Sequence, residues 1–234
     1  MKTNEESVAR YNDTAIFEAE LARLAPANAE AAEIGVGVGI YSEYLARKGC
    51  RLRLVDVSAR LLDAAAARLR AAGLGESIAG ISRESATHLD SLPVGAFDIV
   101  LMLGPLYHLC AQEARRAAVA EAARILKPGG LLFAAGINRL SYLRDGNLDP
   151  EHAPPIGFAH LSTCAEFRAL FEPEFEELAL AGVESFSTAW QPMLNDLPPA
   201  EAEAWLDLIE RTGQTAEGLG VSDHFLYVGR KVGK

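Results

Sequence analysis

Cysteine, long apolar runs and positive charge are all scarce in this chain of 234 residues. Its three cysteines, Cys50, Cys110 and Cys164, are scattered and odd in number, and no pair has the spacing of zinc ligands. Such sparse cysteine fits a reducing cytoplasm rather than a disulfide-stapled secreted protein. Because no run of about 20 apolar residues is free of charge, no membrane-spanning helix is expected. A metal-independent protein without a membrane partner is therefore predicted.

Basic residues are outnumbered by acidic ones, with 22 Lys and Arg against 32 Asp and Glu, for a formal net charge of −10 at pH 7. An acidic surface repels phosphate backbones, so nucleic acid is not expected as a substrate. The first residues, MKTNEESVARYND, lack the apolar core of a signal peptide. Together with the cysteine content, this predicts a cytoplasmic protein.

Residues 31–41, AAEIGVGVGIY, organise the rest of the chain. A short apolar run predicts a buried strand, glycines follow at every second position, and residues 41–47 predict a helix that ends at Gly49. Glycine allows the backbone to turn sharply and to approach a ligand where a Cβ would clash. A strand, a glycine-rich turn and a helix are how an open α/β sheet builds a nucleotide site.

Strands and helices alternate along most of the chain, and this predicts an α/β fold. Further strands are predicted over 51–56, 78–82, 97–103, 131–135, 175–185 and 224–229, and further helices over 59–72, 112–126 and 197–212. Ser58 is a plausible N-cap, Gly73 a helix stop, and residues 127–130, KPGG, a turn. We expect a Rossmann-like, doubly wound, mostly parallel sheet of seven strands, with helices on both faces.

The chain is long enough for one packed domain, with 50% hydrophobic residues. Residues 1–30 are expected to form an N-terminal helical cap, with a helix over 13–24, and residues 31–138 the ligand-binding core. Prolines and two histidines over 139–173 suggest a lid inserted after the fifth strand, and residues 174–234 complete the sheet.

The glycine turn by itself fits NAD, FAD or S-adenosylmethionine. A dinucleotide fingerprint would have its third glycine where this chain has Ile40. Asp56, at the end of the predicted second strand, can accept hydrogen bonds from both hydroxyls of a ribose, which suits NAD and S-adenosylmethionine equally.

Two later segments discriminate between these cofactors. They are residues 97–109, FDIVLMLGPLYHL, at the predicted fourth strand, and residues 124–133, RILKPGGLLF, to which the next helix leads. Over residues 31–137 the chain resembles the class I S-adenosylmethionine-dependent methyltransferases. The resemblance implies S-adenosylmethionine as the cofactor and transfer of its methyl group to an O, N, S or C atom of a small molecule.

The first part of the cofactor site is carried over from this resemblance. Glu33, Gly35 and Gly37 match the motif whose loop holds the methionine part of the cofactor. Asp56 matches the acid that binds the ribose, and Val57 would pack on the adenine.

The rest of the site departs from the family in one place. Ser85 and Ala86 match the segment that usually reads Asp-Ala and touches the adenine edge, so the acid is missing, although a serine hydroxyl can still meet the adenine amine. Leu103 and Gly104 match the positions that line the methyl-donor end. Tyr11 loosely matches an N-terminal tyrosine near the cofactor.

Histidines are the candidate catalytic groups, since a neutral imidazole suits proton removal at neutral pH. His108 lies just beyond the fourth strand and is the first candidate for a general base, although a structural role fits it as well. Tyr107 is adjacent and is a candidate for positioning the substrate or the cofactor. His152 and His160 lie in the predicted lid and could reach the substrate, or they could be solvated loop residues.

Two other functional classes stay open at the level of sequence. A nicotinamide-dependent oxidoreductase on a similar sheet would need room for a pyrophosphate and a Tyr-Lys or similar catalytic pair, which is not found. A catalytically degenerate binding protein would tolerate the altered Ser85 segment, but the intact glycines and Asp56 argue against it.

Overall fold

The computed structural model describes residues 19–140, 159–190, 193–194 and 196–233. The strands are β1 (Glu30–Ile34), β2 (Arg51–Asp56), β3 (Ile78–Arg83), β4 (Phe97–Met102), β5 (Leu126–Asn138), β6 (Leu161–Ser162), β7 (Phe175–Gly182) and β8 (His224–Lys231). The helices are α1 (Ile40–Arg47), α2 (Ala59–Ala71), α3 (Pro105–His108), α4 (Gln112–Ile125), α5 (Cys164–Ala169), α6 (Pro199–Gly213) and α7 (Ala216–Val221). Short 3₁₀ turns cover Gly75–Ser77 and Ser187–Trp190, and residues 19–24 are helical.

In the described part of the chain these strands form one eight-stranded sheet, in the order β3-β2-β1-β4-β5-β8-β7, with β6 paired to β5. The first five strands run parallel, and β8 is antiparallel to both β5 and β7. The predicted Rossmann-like class is therefore confirmed. The strand beyond the predicted seven is β6, which has two residues and is too short to leave a pattern in the sequence.

The order of the strands positions a binding crevice. The chain winds outward from β1 in one direction and from β4 in the other, so the sheet has a switch point between these two strands. Ligands of open α/β sheets bind outside the carboxyl ends of the strands at this point. Since β8 runs antiparallel, its first residue, His224, lies at the same edge as the ends of the parallel strands.

The core lies on both faces of the sheet, which explains the continuous apolar run of β4. Val100 and Met102 belong to one buried cluster, while Ile99 and Leu101 belong to the other. Successive side chains of a strand point to opposite faces, so a strand that is buried on both faces shows no polar alternation.

The predicted start of α2 and its predicted end are confirmed. The Ser58 hydroxyl accepts a hydrogen bond from the amide of Leu61, at 3.4 Å, and Gly73 follows the helix with φ of +73°. A left-handed residue after the last turn is a common helix stop, and glycine adopts it without a Cβ penalty.

The sequence predicted a turn at 127–130 with the fifth strand beginning after it, and this boundary is wrong. Here β5 begins at Leu126 and continues through these residues, and the pairing with β4 shifts from Phe97–Leu126 to Ile99–Leu131. The extra residues form an irregularity within the strand, where Gly129 has φ of +77°. The Lys127 ammonium contacts the Asp98 carboxylate, at 2.8 Å, and this contact secures the irregular segment to β4.

Two predicted segments lie partly outside the described residues. Of the predicted N-terminal helix, residues 19–24 are helical, and the remainder is not described. Of the predicted lid, residues 141–158 are not described, and the later part forms β6 and α5. Across the described ranges, no helix combines the length and apolar character needed to cross a membrane.

Candidate functional site

A cavity of about 630 Å³ opens at the carboxyl edge of the sheet, next to the switch point. Every predicted cofactor-binding residue in the described part of the chain lines it: Glu33, Gly35, Gly37, Asp56, Val57, Ser85, Ala86, Leu103 and Gly104. Tyr107 and His108 line it as well. Tyr11 and His152 lie outside the described residues.

The loop between β1 and α1 requires glycine at each of its three glycine positions. Gly35, Gly37 and Gly39 have φ of +76°, +55° and +78°, values that side chains rarely adopt. A Cβ on Gly35 would lie 2.6 Å from the ring of Pro105, whereas a Cβ on Gly37 would meet no atom within 4 Å. The backbone at Gly37 therefore borders open space, as expected of a loop that a ligand approaches closely.

Asp56 fastens this loop to the neighbouring strand. Its Oδ2 accepts a hydrogen bond from the amide of Gly37, at 3.2 Å, and its Oδ1 accepts one from the amide of Ser58, at 2.8 Å. The residue is 7% exposed and lines the cavity. Each carboxylate oxygen has a second lone pair, so Asp56 can still accept hydrogen bonds from two hydroxyl groups of a ligand.

Glu33 is a buried carboxyl group beside the same loop. It is 3% exposed and accepts a hydrogen bond from the Ser42 hydroxyl. Burial raises the pKa of Glu33 from 4.5 to about 8, and the hydrogen bonds from Ser42 oppose this only in part. At neutral pH the group is mainly protonated, and a cation bound nearby would favour its charged form.

Glu33 makes a pH-dependent contribution to stability. Because its folded pKa lies above 4.5, the folded state keeps a proton that the unfolded state releases, so the free energy of unfolding falls as the pH rises from about 4.5 to about 8. Glu33→Gln should remove this fall, and the variant should be more stable than the parent by a few kcal/mol at pH 8. Urea unfolding of the parent and the variant at pH 5 and pH 8 measures this difference in the free energy of unfolding. An unchanged pH slope in the variant would contradict the assignment.

Apolar and polar groups meet in the part of the cavity near β2 and β3. Val57 is 63% exposed and Val38 is 48% exposed, which makes them uncovered apolar surfaces suited to a flat ring. The Ser85 hydroxyl lies 2.9 Å from the hydroxyl of Thr87 and also accepts a hydrogen bond from the Thr87 amide.

Sequence reasoning missed Glu84, which also lines the cavity. Its Oε1 accepts a hydrogen bond from the Ser91 amide, at 3.0 Å, but its Oε2 is buried with no hydrogen-bond partner among the described residues. A buried carboxylate oxygen without a donor is costly, so a donor from a bound molecule fits this position. The signal was an acid one residue before the position where the family has one.

Helix α3 carries the two side chains at the opposite end of the cavity. The rings of Tyr107 and His108 lie 4.7 Å apart at an angle of 58°. The backbone amide of His160 donates a hydrogen bond to the Tyr107 carbonyl, at 2.7 Å. The His160 side chain, however, lines a separate cavity of about 350 Å³ with Arg115 and Glu166, so it is not brought into the main cavity.

A smaller cavity of about 70 Å³ adjoins the main one. The two share Tyr41, Leu103 and Tyr107, and the smaller cavity adds residues from β5, β8 and the end of β7, among them His224. The site therefore consists of a large cavity beside the glycine loop and a small one beside Tyr107 and the first residues of β8. No cluster of three metal-ligating side chains occurs among the described residues, and metal independence stays a prediction.

Comparison with known proteins gives a family match over part of the chain and a shared fold. The family model described as "Methyltransferase domain" matches residues 32–134. The ubiquinone biosynthesis O-methyltransferase of Xanthomonas axonopodis pv. citri is 29% identical over 185 residues, which are 79% of this chain and 63% of that protein. The protein of the same name from Methylococcus capsulatus is 35% identical over 113 residues, 48% of this chain and 45% of that one. The chain thus spans less than two thirds of the length of these relatives.

Solved structures of low sequence identity share the fold. The N-methyltransferase NodS from Bradyrhizobium japonicum, in complex with S-adenosyl-L-homocysteine, superposes with a TM-score of 0.61 at 18% identity, over 96% of this chain and 87% of that one. A SAM-dependent methyltransferase from Methanosarcina mazei gives a TM-score of 0.64 at 21% identity, over 92% and 98% of the two chains.

Proposed function

We propose that the chain is a class I S-adenosylmethionine-dependent methyltransferase that transfers a methyl group to an oxygen atom of a small-molecule acceptor, a proposal that the partial family match and the O-methyltransferase relatives support. The observation that carries the proposal is the main cavity, since residues matched from separate motifs of the family meet around it. S-adenosylmethionine is the proposed cofactor, since the fold is shared with a methyltransferase solved in complex with S-adenosyl-L-homocysteine. When bound, it supplies a methyl group that its sulfonium has already activated.

The residues around the cavity fit the parts of this cofactor. In the proposed arrangement the glycine loop holds the methionine part, Asp56 accepts hydrogen bonds from the ribose hydroxyls, and Val57 packs on the adenine. Leu103 and Gly104 border the reacting end. The chain would then act mainly by aligning the acceptor and excluding water, which are large contributions in a displacement reaction.

Oxygen is proposed as the acceptor atom because the curated relatives named above are O-methyltransferases. The adjoining cavity of about 70 Å³ supports a small acceptor, since it shares Leu103 and Tyr107 with the end of the main cavity where the methyl group would lie. A cytoplasmic location is supported by three free thiols at Cys50, Cys110 and Cys164. The single-domain organisation, with 1–30 and 139–173 covering the site, stays a prediction.

Titration calorimetry measures which cofactor the protein binds. We expect the protein to bind S-adenosylmethionine and S-adenosylhomocysteine but not NAD. A screen of hydroxyl, amine and thiol acceptors, which follows release of S-adenosylhomocysteine, then tests the reaction. Tight binding of NAD with no response to the other two ligands would overturn the proposal, and methylation restricted to amines would overturn the choice of oxygen.

Glu84 is expected to take the place of the acid that is missing at Ser85. Glu84→Ala should weaken S-adenosylhomocysteine binding about tenfold, because it removes a carboxylate that accepts from the adenine amine. S-inosylhomocysteine, which lacks that amine, should bind the parent and the variant equally. Glu76→Ala, at an exposed position before the other end of β3, serves as the control. Equal losses for the two ligands would contradict this role.

A further inference from the structure

A histidine and a glutamate pair at the ligand edge of the sheet, on β8 and just after β7. The Nδ1 atom of His224 lies 2.6 Å from Oε1 of Glu184. The other oxygen, Oε2, accepts hydrogen bonds from the hydroxyl of Ser222 and from the amides of Asp223 and His224, at 2.9, 3.1 and 2.9 Å. Glu184 is 7% exposed, so a buried carboxylate is fixed on one side by three donors and on the other by the imidazole.

This arrangement determines which ring nitrogen carries the hydrogen. Donors that converge on Oε2 stabilise the ionised form of Glu184, which can only accept hydrogen bonds. Nδ1 of His224 must therefore donate to Oε1, and Nε2 is left as the nitrogen with the lone pair in the neutral ring. A carboxylate that orients an imidazole in this way is the arrangement that makes histidine a general base in enzymes.

The pair lies beside the end of the main cavity that is assigned to the methyl group. His224 lines the adjoining small cavity, and this cavity shares Leu103, Tyr107 and Tyr41 with the main one. His108 also lines the main cavity, but it is exposed, and within the described residues no carboxylate holds its ring. Of the two histidines, only His224 has the fixed orientation that proton removal requires.

We propose that His224 is the general base of the reaction and that Glu184 is its positioning residue. This rests on the proposed function, with a hydroxyl as acceptor. The acceptor O–H bond breaks and its proton passes to Nε2 of His224, while the oxygen lone pair forms the new O–CH₃ bond. The electron pair of the broken C–S bond stays on the sulfur of S-adenosylhomocysteine.

The same contacts also hold β7 to the start of β8, so the test must separate a catalytic role from a structural one. The tautomer of His224 does this without any substrate. In ¹⁵N-edited NMR of the full chain, His224 should be the Nδ1–H tautomer, and Glu184→Gln should remove this preference. Glu174→Gln, at the other end of β7 and exposed, should leave the tautomer unchanged. An Nε2–H tautomer in the parent protein would overturn the proposal.

Kinetics with two probes test the proton transfer itself. With catechol, His224→Gln should lower kcat by about 10²–10⁴-fold, the usual contribution of a general base. With 4-nitrocatechol, which is already largely ionised at neutral pH, the loss should be less than about tenfold, because little proton removal remains. Glu184→Asp should retain more activity on catechol than Glu184→Gln, since it keeps a carboxylate.

The affinity for S-adenosylhomocysteine distinguishes failure of the proposed function from failure of the role proposed for His224. S-adenosylhomocysteine should bind the parent, His224→Gln and Glu174→Gln with the same affinity. If none of them binds it, the proposed function fails. If all of them bind it and His224→Gln methylates catechol at the parent rate, the proposed function stands and the role of His224 is overturned.

Discussion

Replacing Asp56 by alanine is expected to weaken S-adenosylmethionine binding by about 1.5–3 kcal/mol, or roughly 10- to 150-fold in Kd. The carboxylate has two tasks that alanine cannot perform. It would accept the ribose hydroxyls, and it accepts the amides of Gly37 and Ser58, which fixes the glycine loop against β2. Loss of Asp56 would therefore remove the proposed contacts to the cofactor and would also loosen the loop that is proposed to hold it.

Asp98 provides a matched control on the same sheet. Its Oδ2 accepts the amide of Glu30, at 3.0 Å, and its Oδ1 contacts the ammonium of Lys127. Asp98 therefore also ties a backbone amide of the sheet to a carboxylate, but at the opposite edge, next to the starts of β1 and β4. Asp98→Ala should lower the thermal midpoint and leave the cofactor affinity unchanged. Calorimetry that gave equal losses of affinity for both variants would show that Asp56 acts through stability alone.

That the glycine loop and Asp56 lie together at one cavity could be predicted, because their signals are local. A strand, three alternating glycines and a helix occupy 18 consecutive positions, Glu30–Arg47, and the acid at Asp56 ends the next strand. Positive φ at the glycines and a carboxylate at the end of a parallel strand follow from the residue types themselves. No long-range packing has to be known to place these groups at one edge.

The proposed acceptor half of the site could not be predicted, because its groups come together only through the direction of the strands. Glu184 and His224 are 40 positions apart, and each lies at the ligand edge only because β7 runs parallel to β5 and β8 runs antiparallel. His108 was the first candidate because it follows a parallel strand. The last residue of such a strand lies at the ligand edge of the sheet, so the sequence alone indicates which residues are there. In an antiparallel strand it is the first residue that lies at the ligand edge, as His224 does in β8. No local sequence pattern indicates that β8 runs in the opposite direction.

The sequence also failed to predict the short or irregular parts of the sheet, for a related reason. In β6 only two residues pair, with Ile137 and Asn138 of β5, so its existence depends on the neighbouring strand rather than on its own sequence. The KPGG segment carries the residue types of a turn, and Gly129 does adopt a turn-like φ, yet the segment remains within β5. Propensity described the local backbone correctly there but not the pairing, which tertiary contacts decide.

Replacing Gly37 by valine is expected to weaken S-adenosylmethionine binding by more than about 100-fold, which is about 2.7 kcal/mol. The residue has φ of +55°, so a β-branched side chain costs at least about 1–2 kcal/mol and favours another conformation of the loop. A relaxed loop would no longer present the Gly37 amide to Asp56. The added side chain would also occupy space beside the cavity, where a Cβ meets no protein atom within 4 Å.

Gly73 separates backbone strain from the loss of the site. It has φ of +73°, and a Cβ there would also meet no atom within 4 Å, but it lies after α2 and does not line the cavity. Gly73→Val should therefore destabilise the fold about as much as Gly37→Val, while its affinity for the cofactor stays at the parent value. Thermal unfolding and calorimetry on the two variants measure the two effects. If Gly37→Val bound the cofactor as tightly as Gly73→Val, the glycine loop could not be the surface that S-adenosylmethionine contacts.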